Sequence, residues 1–176
     1  MYSPLSELSF MEPVPARREE VAALLDPLLQ AKNDSVRHAA LNAVKKWGTQ
    51  KNVPTLLKML ELKSIGDRWS AIRALGEIGG SKEGAAAVAK LLLDQQDRLT
   101  ATDALQKMGP VAEDAVWPHI GSKDQQVHYN ACRVLGSAGT EKSIARLQPL
   151  IKKETDIGHR VSMEIAVKDI QKRLGK

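Results

Sequence analysis

The chain has 176 residues, 43% hydrophobic and 27% charged, with a formal net charge of +5 and one cysteine. It is the size of about one domain, too apolar to be disordered and too poor in cysteine for a disulfide scaffold, and no apolar run approaches the ~20 residues of a membrane span. Aromatic residues make up only 3%, whereas alanine and leucine supply 21 residues each, so small and aliphatic side chains must do most of the packing.

In chain order, Met1–Pro15 holds acids and prolines where a secretory leader carries a basic start and an apolar centre. The expected compartment is therefore reducing and cytoplasmic. Leu5, Leu8, Phe10 and Met11 precede Pro13 and Pro15. Residues 1–15 are read as an N-terminal tail or cap, ahead of a repeat domain over 16–176. From there two kinds of helical stretch alternate. The first kind is expected at about 16–30, 52–62, 82–93, 111–121 and 141–153, with apolar stripes such as Leu56, Leu57 and Leu60. The second kind ends on glycines spaced by 31, 30 and 30: Gly48, Gly79, Gly109 and Gly139. The thirteen residues ending at each align without gaps: VRHAALNAVKKWG, DRWSAIRALGEIG, DRLTATDALQKMG and VHYNACRVLGSAG. A divergent fifth copy, HRVSMEIAVKDIQ, covers 159–171. The repeats run at about 16–48, 49–79, 80–109, 110–139 and 140–174.

Four columns of these copies are small or apolar. They are Ala40/Ala71/Ala101/Ala131/Met163, Ala43/Ala74/Ala104/Val134/Ala166, Val44/Leu75/Leu105/Leu135/Val167 and Trp47/Ile78/Met108/Ala138/Ile170. Offsets of 3, 4 and 7 place them on one helix face. Trp47 belongs to this packing face, and Trp117, on a first helix, is also expected in the core. The closing glycine is expected at C′ in a left-handed conformation. Asp34, Asp67, Asp97, Asp124 and Asp156 lie at or just before the helix starts, where a carboxylate caps free N–H groups. Pro27, Pro118 and Pro149 are expected to bend the first helices near their ends, and Pro54 to sit at a helix start.

The gap-free pattern of Val36–Gly48 and its variant in Asp67–Gly79 resembles the short HEAT-like repeat first noted in phycobilisome lyase subunits. The resemblance covers about 16–174. It implies an all-α fold, a right-handed α-solenoid of about five HEAT-like helix pairs, with the second helix of each pair lining the concave side. A single pair cannot bury both of its faces, so stacking supplies the core. The iron-dependent hydroxylases built on such repeats carry His-Glu dipeptides, and this chain has none.

Columns of the second helices not used for packing remain for function. One reads His38, Trp69, Leu99, Tyr129, Val161, and a turn later comes Asn42, Arg73, Asp103, Arg133, Ile165. Trp69 has Arg73 at i+4 and Tyr129 has Arg133 at i+4, so each pair shares a face. An aromatic beside a guanidinium suits a protein hot spot or stacking on a base; packing of the rings between neighbouring repeats is the competing reading. His38, Trp69, Arg73, Leu99, Tyr129 and Arg133 are the candidate partner-binding residues. Arg37, Arg68, Arg98, His128 and Arg160 form a further column, read as a ladder to aspartates of the inter-helix turns. His128 and Cys132 lie at i and i+4, the one spacing that brings an imidazole to a thiol.

The charge sits in two blocks, +5 over 31–65 and +4 over 140–176, around a near-neutral middle. That distribution favours a protein or peptide partner, with a nucleic acid as the alternative. The expected function is a non-catalytic interaction scaffold, without metal or cofactor, without membrane attachment and without a small-molecule ligand.

Overall fold

The computed structural model describes residues 4–175. Residues 1–3 of the expected N-terminal segment and residue 176 lie outside the described residues. All regular elements among the described residues are helical: α1 (Pro4–Glu7), α2 (Arg18–Leu25), α3 (Asp34–Trp47), α4 (Val53–Met59), α5 (Ile65–Ile78), α6 (Lys82–Lys90), α7 (Arg98–Met108), α8 (Glu113–Ile120), α9 (Gln125–Ala138), α10 (Glu141–Lys153) and α11 (Ile157–Arg173). Short 3-10 turns extend the first helices at Pro15–Arg17, Pro27–Gln30, Gln50–Asn52, Leu91–Leu93 and Gly109–Ala112. The helix pairs stand where the repeat places them, α3, α5, α7, α9 and α11 being the second helices.

The chain divides into two compact units, Met1–Gly84 and Ala85–Lys176. In the first, α3 packs on α5, α2 on α3 and α4 on α5, and α1 lies against α3. Trp47 is buried and its Nε1 donates to the Leu8 carbonyl at 2.9 Å, while Lys46 pairs with Glu12 at 2.9 Å. In the second unit α9 packs between α7 and α11, with α8 against α9 and α10 against α11. The four packing columns are buried in both units, apart from the half-buried Ile78 and Val167. Alanines in two of them remove the bulk that would hold neighbouring helices apart.

Helix termination differs from the expectation in its mechanism. Gly79 and Gly109 take positive φ, 61° and 67°, but Gly48 and Gly139 are extended, with φ −63° and −67°. There the requirement is space. A Cβ on Gly139 would lie 2.9 Å from Ile170 Cδ1, and one on Gly48 would collide with the Val44 carbonyl and lie 2.9 Å from Ile78 Cδ1. Initiation also departs in part. Asp124 and Asp156 cap α9 and α11 as expected, but Asn33 caps α3 and Ser64 caps α5. Asp97 stands at the N-cap of α7 without a side-chain capping bond. The first helices of the second, third and fifth repeats start on hydroxyls, with Thr49, Ser81 and Thr140 accepting from Lys51, Gly84 and Lys142 N–H, whereas α2 and α8 have no side-chain cap. Pro118 and Pro149 lie inside α8 and α10, whereas α2 stops before Pro27. The proline-free third repeat also finishes in a 3-10 turn, so proline is not the only cause of that ending.

The arginine column ties each pair together. Arg37, Arg68 and Arg98 donate to the carbonyls of Ala31, Leu62 and Leu92, at 2.8, 2.8 and 2.7 Å. Each carbonyl lies six residues earlier, where the preceding first helix or its turn ends. Arg37 also reaches Asp67 at 3.0 Å, and Arg98 reaches Asp124 at 3.3 Å. His128 takes the arginine's place in the fourth repeat, its ring nitrogens 2.7 Å from the Ile120 carbonyl and 3.1 Å from that of His159. Arg160 departs from the ladder and lies 3.9 Å from Glu164 of its own helix.

First helices are joined by buried polar groups. Asn52 donates to the Ala22 carbonyl at 2.9 Å and Thr55 to Asp26 at 2.9 Å. Glu113 accepts from Ser143 Oγ at 2.5 Å and Thr140 Oγ1 at 3.0 Å. Burial pushes the Glu113 carboxyl up, but the bonds from Ser143 and Thr140 outweigh it and hold the group below its ordinary 4.5. Asp67 behaves likewise: burial opposes its charge, and Arg37 and Ser64 hold it below 3.8.

Two outcomes follow from this packing. Gly139→Ala lowers stability in urea unfolding by about 1–3 kcal/mol through overpacking, whereas Gly121→Ala, with nothing within 4 Å of the added carbon, leaves it unchanged. Carboxyls with lowered folded values stabilise the fold fully above their unfolded values and lose that contribution as pH falls through the folded ones. Stability therefore declines on acidification below pH 4.5 and further below 3.8. Glu113→Gln costs about 1–3 kcal/mol at neutral pH and shows a shallower decline in acid, measured by urea titrations across that range.

Candidate protein-binding face

The residues singled out on the second helices fall in both units, and each unit builds its own surface from them. In the second unit, Leu99 on α7, Tyr129 on α9 and Val161 and Ile165 on α11 occupy corresponding outward columns. Their exposures are 65%, 47%, 42% and 50%. Apolar side chains this open are ordinary singly, but aligned columns on packed neighbouring helices form a patch. The columns align because α9 lies between α7 and α11 with alanine contacts behind them.

Polar groups edge this patch. Arg133 approaches Asp103 at 3.9 Å and donates to Asn130 Oδ1 at 3.4 Å. Gln106 donates to Ser137 Oγ at 2.8 Å. A cavity of about 280 Å³ opens here, lined by Tyr129, Arg133 and Ile165 together with Gln106, Ser137 and Asp169. It offers an apolar wall, an ion pair and amide and hydroxyl groups, a set suited to a side chain and backbone of another protein.

In the first unit the candidates are more engaged. His38 Nε2 lies 2.8 Å from Asp67 Oδ1, and its side chain is 56% exposed. Trp69 is half-buried and Arg73 is exposed. Asp67, expected as a cap, is instead the buried acid that Arg37 and His38 share.

Two further expectations are refined. Trp117 is half-buried rather than in the core, with the Arg146 guanidinium 3.7 Å from its ring centroid, a cation–π contact. Cys132 Sγ lies 3.5 Å from His128 Nε2, so the spacing does bring thiol and imidazole together. Both residues are buried, and burial pushes the thiol up to about 12, so the protonated, weakly nucleophilic form prevails at neutral pH. His128 stacks on His159 with centroids 4.1 Å apart. Among the described residues no group of three or more His, Cys, Asp or Glu could hold a metal ion, and no helix is long and apolar enough to cross a membrane.

Paired helices repeating every 30 residues, with small residues inside and open columns outside, define an all-α solenoid repeat protein. The chain belongs to the HEAT-repeat family: the family described as HEAT repeats matches residues 21–109. Solved structures agree in fold. A crystal structure of an engineered protein from the Northeast Structural Genomics Consortium matches with TM-score 0.53 and 20% identity over 96% of this chain and 87% of its own. A second engineered protein from that consortium matches with TM-score 0.56 and 20% identity over 95% of this chain, which spans 52% of it. A designed armadillo repeat protein matches with TM-score 0.52 and 16% identity, covering 94% and 91%. No curated protein matches the chain.

Cys132 serves as a reporter of this packing. Thiol-specific alkylation at neutral pH is expected to be slow in the folded protein and fast in denaturing urea, followed by mass spectrometry. Rapid labelling under native conditions would contradict the burial.

Proposed function

We propose that the chain is a non-catalytic scaffold that binds a protein or peptide on the face of its second helices, the concave side in the HEAT-repeat fold. The observation that carries this reading is the exposed apolar patch of Leu99, Tyr129, Val161 and, a turn later, Ile165 in the second unit. Tyr129 is its aromatic anchor and Arg133, beside Asp103, its charged contact. Anchors of this kind carry most of the energy of an interface, while their neighbours exclude water. Trp69, Arg73 and His38 offer a corresponding surface in the first unit. An extended strand or amphipathic helix of a partner suits such a patch, because apolar side chains at intervals meet successive columns. The match names no catalytic family, and the one thiol–imidazole contact is buried. The proposed compartment is the cytoplasm, where a lone free thiol is ordinary.

Charge bears on the alternative. A nucleic-acid surface is dominated by cations free to meet phosphates, whereas Arg133 stands beside an acid and the rest of the patch is apolar. The test is affinity capture from native lysate, with and without nuclease, comparing the wild type with Tyr129→Ala and separately with Trp69→Ala. A protein retained by the wild type, insensitive to nuclease and lost with Tyr129→Ala is the expected result. Capture abolished by nuclease, or unchanged by both variants in proteins of unaltered circular dichroism, would reject this reading.

A further inference from the structure

Several cations of the first unit stand in ion pairs. Arg17 pairs with Glu20, Lys46 with Glu12, Lys51 with Glu19, and Arg37 with both Asp34 and Asp67. Among the described residues Lys32, Lys58 and Lys63 show no such pair, and, unlike Arg73 and Lys82, they line one pocket of about 460 Å³ beside the first two inter-helix turns. Lys32 comes from the α2–α3 turn, Lys58 from α4 and Lys63 from the α4–α5 turn. Apolar groups line the same pocket: Leu29 and Met59 are buried there, and Leu62 is 37% exposed.

Asp67 is the one carboxylate in the lining. It is 1% exposed, and its oxygens face Arg37 and His38. It therefore does little to offset the lysines toward solvent. The Arg37 guanidinium is itself engaged, with Nε on Asp67, Nη1 on the Ala31 carbonyl and Nη2 on Asp34. No free fork is left for bidentate phosphate recognition. What remains is three compact ammonium groups on flexible stems around a depression whose open apolar side chain is Leu62.

We propose that this pocket docks an acidic peptide segment bearing one apolar side chain. Carboxylates of the segment meet Lys32, Lys58 and Lys63, and the apolar side chain packs on the exposed Leu62. Three cations acting together make a field that a single surface pair does not. The exposed Leu62 side chain, which a phosphate backbone would leave uncovered, favours a peptide over a nucleic acid. The site lies on the turns and on α4, not on the second-helix face, and does not rest on the reading proposed above.

The test is fluorescence anisotropy on the full chain, with fluorescein-labelled peptides in which a central Leu, Met or Phe is flanked by Asp and Glu on both sides. Matched probes carry a central Ser, or Lys in place of the acids, and an oligothymidylate represents phosphate. The acidic peptides are expected to bind, more weakly as salt rises, and the apolar-centred ones more tightly than the Ser-centred one. Combined Lys32→Gln, Lys58→Gln and Lys63→Gln is expected to weaken binding about tenfold or more. Leu62→Ala should narrow the difference between apolar and Ser centres. Lys82→Gln, remote from the pocket in sequence and absent from its lining, should change nothing. The proposal is overturned by absence of binding, by equal binding of Lys-flanked peptides, by unchanged affinity in the triple variant, or by oligothymidylate binding more tightly at the same lysines.

Discussion

A helix ends with carbonyls that have no partner and carry partial negative charge. In this protein a cation from the start of the following second helix reaches back to satisfy one of them. Arg37, Arg68 and Arg98 each bond the carbonyl six residues earlier, and the side chain's remaining donors can bind elsewhere. Arg37 and Arg98 use theirs on an aspartate of the next repeat. One residue thus closes the turn within a pair and sets the position of the following pair. The arrangement also makes a buried acid tolerable: Asp67 keeps its charge because Arg37 and Ser64 bond to it. His128 does similar work with two ring nitrogens and two carbonyls, joining α9 to the end of α8 and the start of α11.

With that register held, packing decides which columns are covered. Alanines at the contact let the helices of each unit approach closely, and glycines at 48 and 139 make room for Ile78 and Ile170. Residues one step around the helix are then left outward in line, and in the second unit they are apolar. The candidate binding face is therefore a by-product of the same repeat that builds the core. The lysine pocket of the first unit is another, set at the turns, where side chains from one inter-helix turn and the next meet.

Reactive chemistry is suppressed by the same burial. Cys132 and His128 stand in contact, yet the apolar surroundings keep the thiol protonated and the imidazole is occupied by backbone carbonyls. A pair that by spacing alone suggests a nucleophile and its base is part of the stack.

The period of 30 residues, the pairing of helices and the buried columns were all legible in the chain itself, because amphipathic periodicity and the recurring glycines are local signals. The outward columns that hold Leu99, Tyr129 and Arg133 were legible for the same reason: once one face is assigned to the core, its complement is known. Tertiary structure alone decided which acid each arginine meets, that Asp67 is a buried partner rather than a cap, and that two of the four glycines answer to space rather than to backbone angle. It also decided that Trp117 is half-buried under Arg146, and that Lys32, Lys58 and Lys63 of the first basic block share one pocket. These depend on which side chains of different repeats come within a few ångströms of one another, and a repeat pattern carries distances along the chain but not across it.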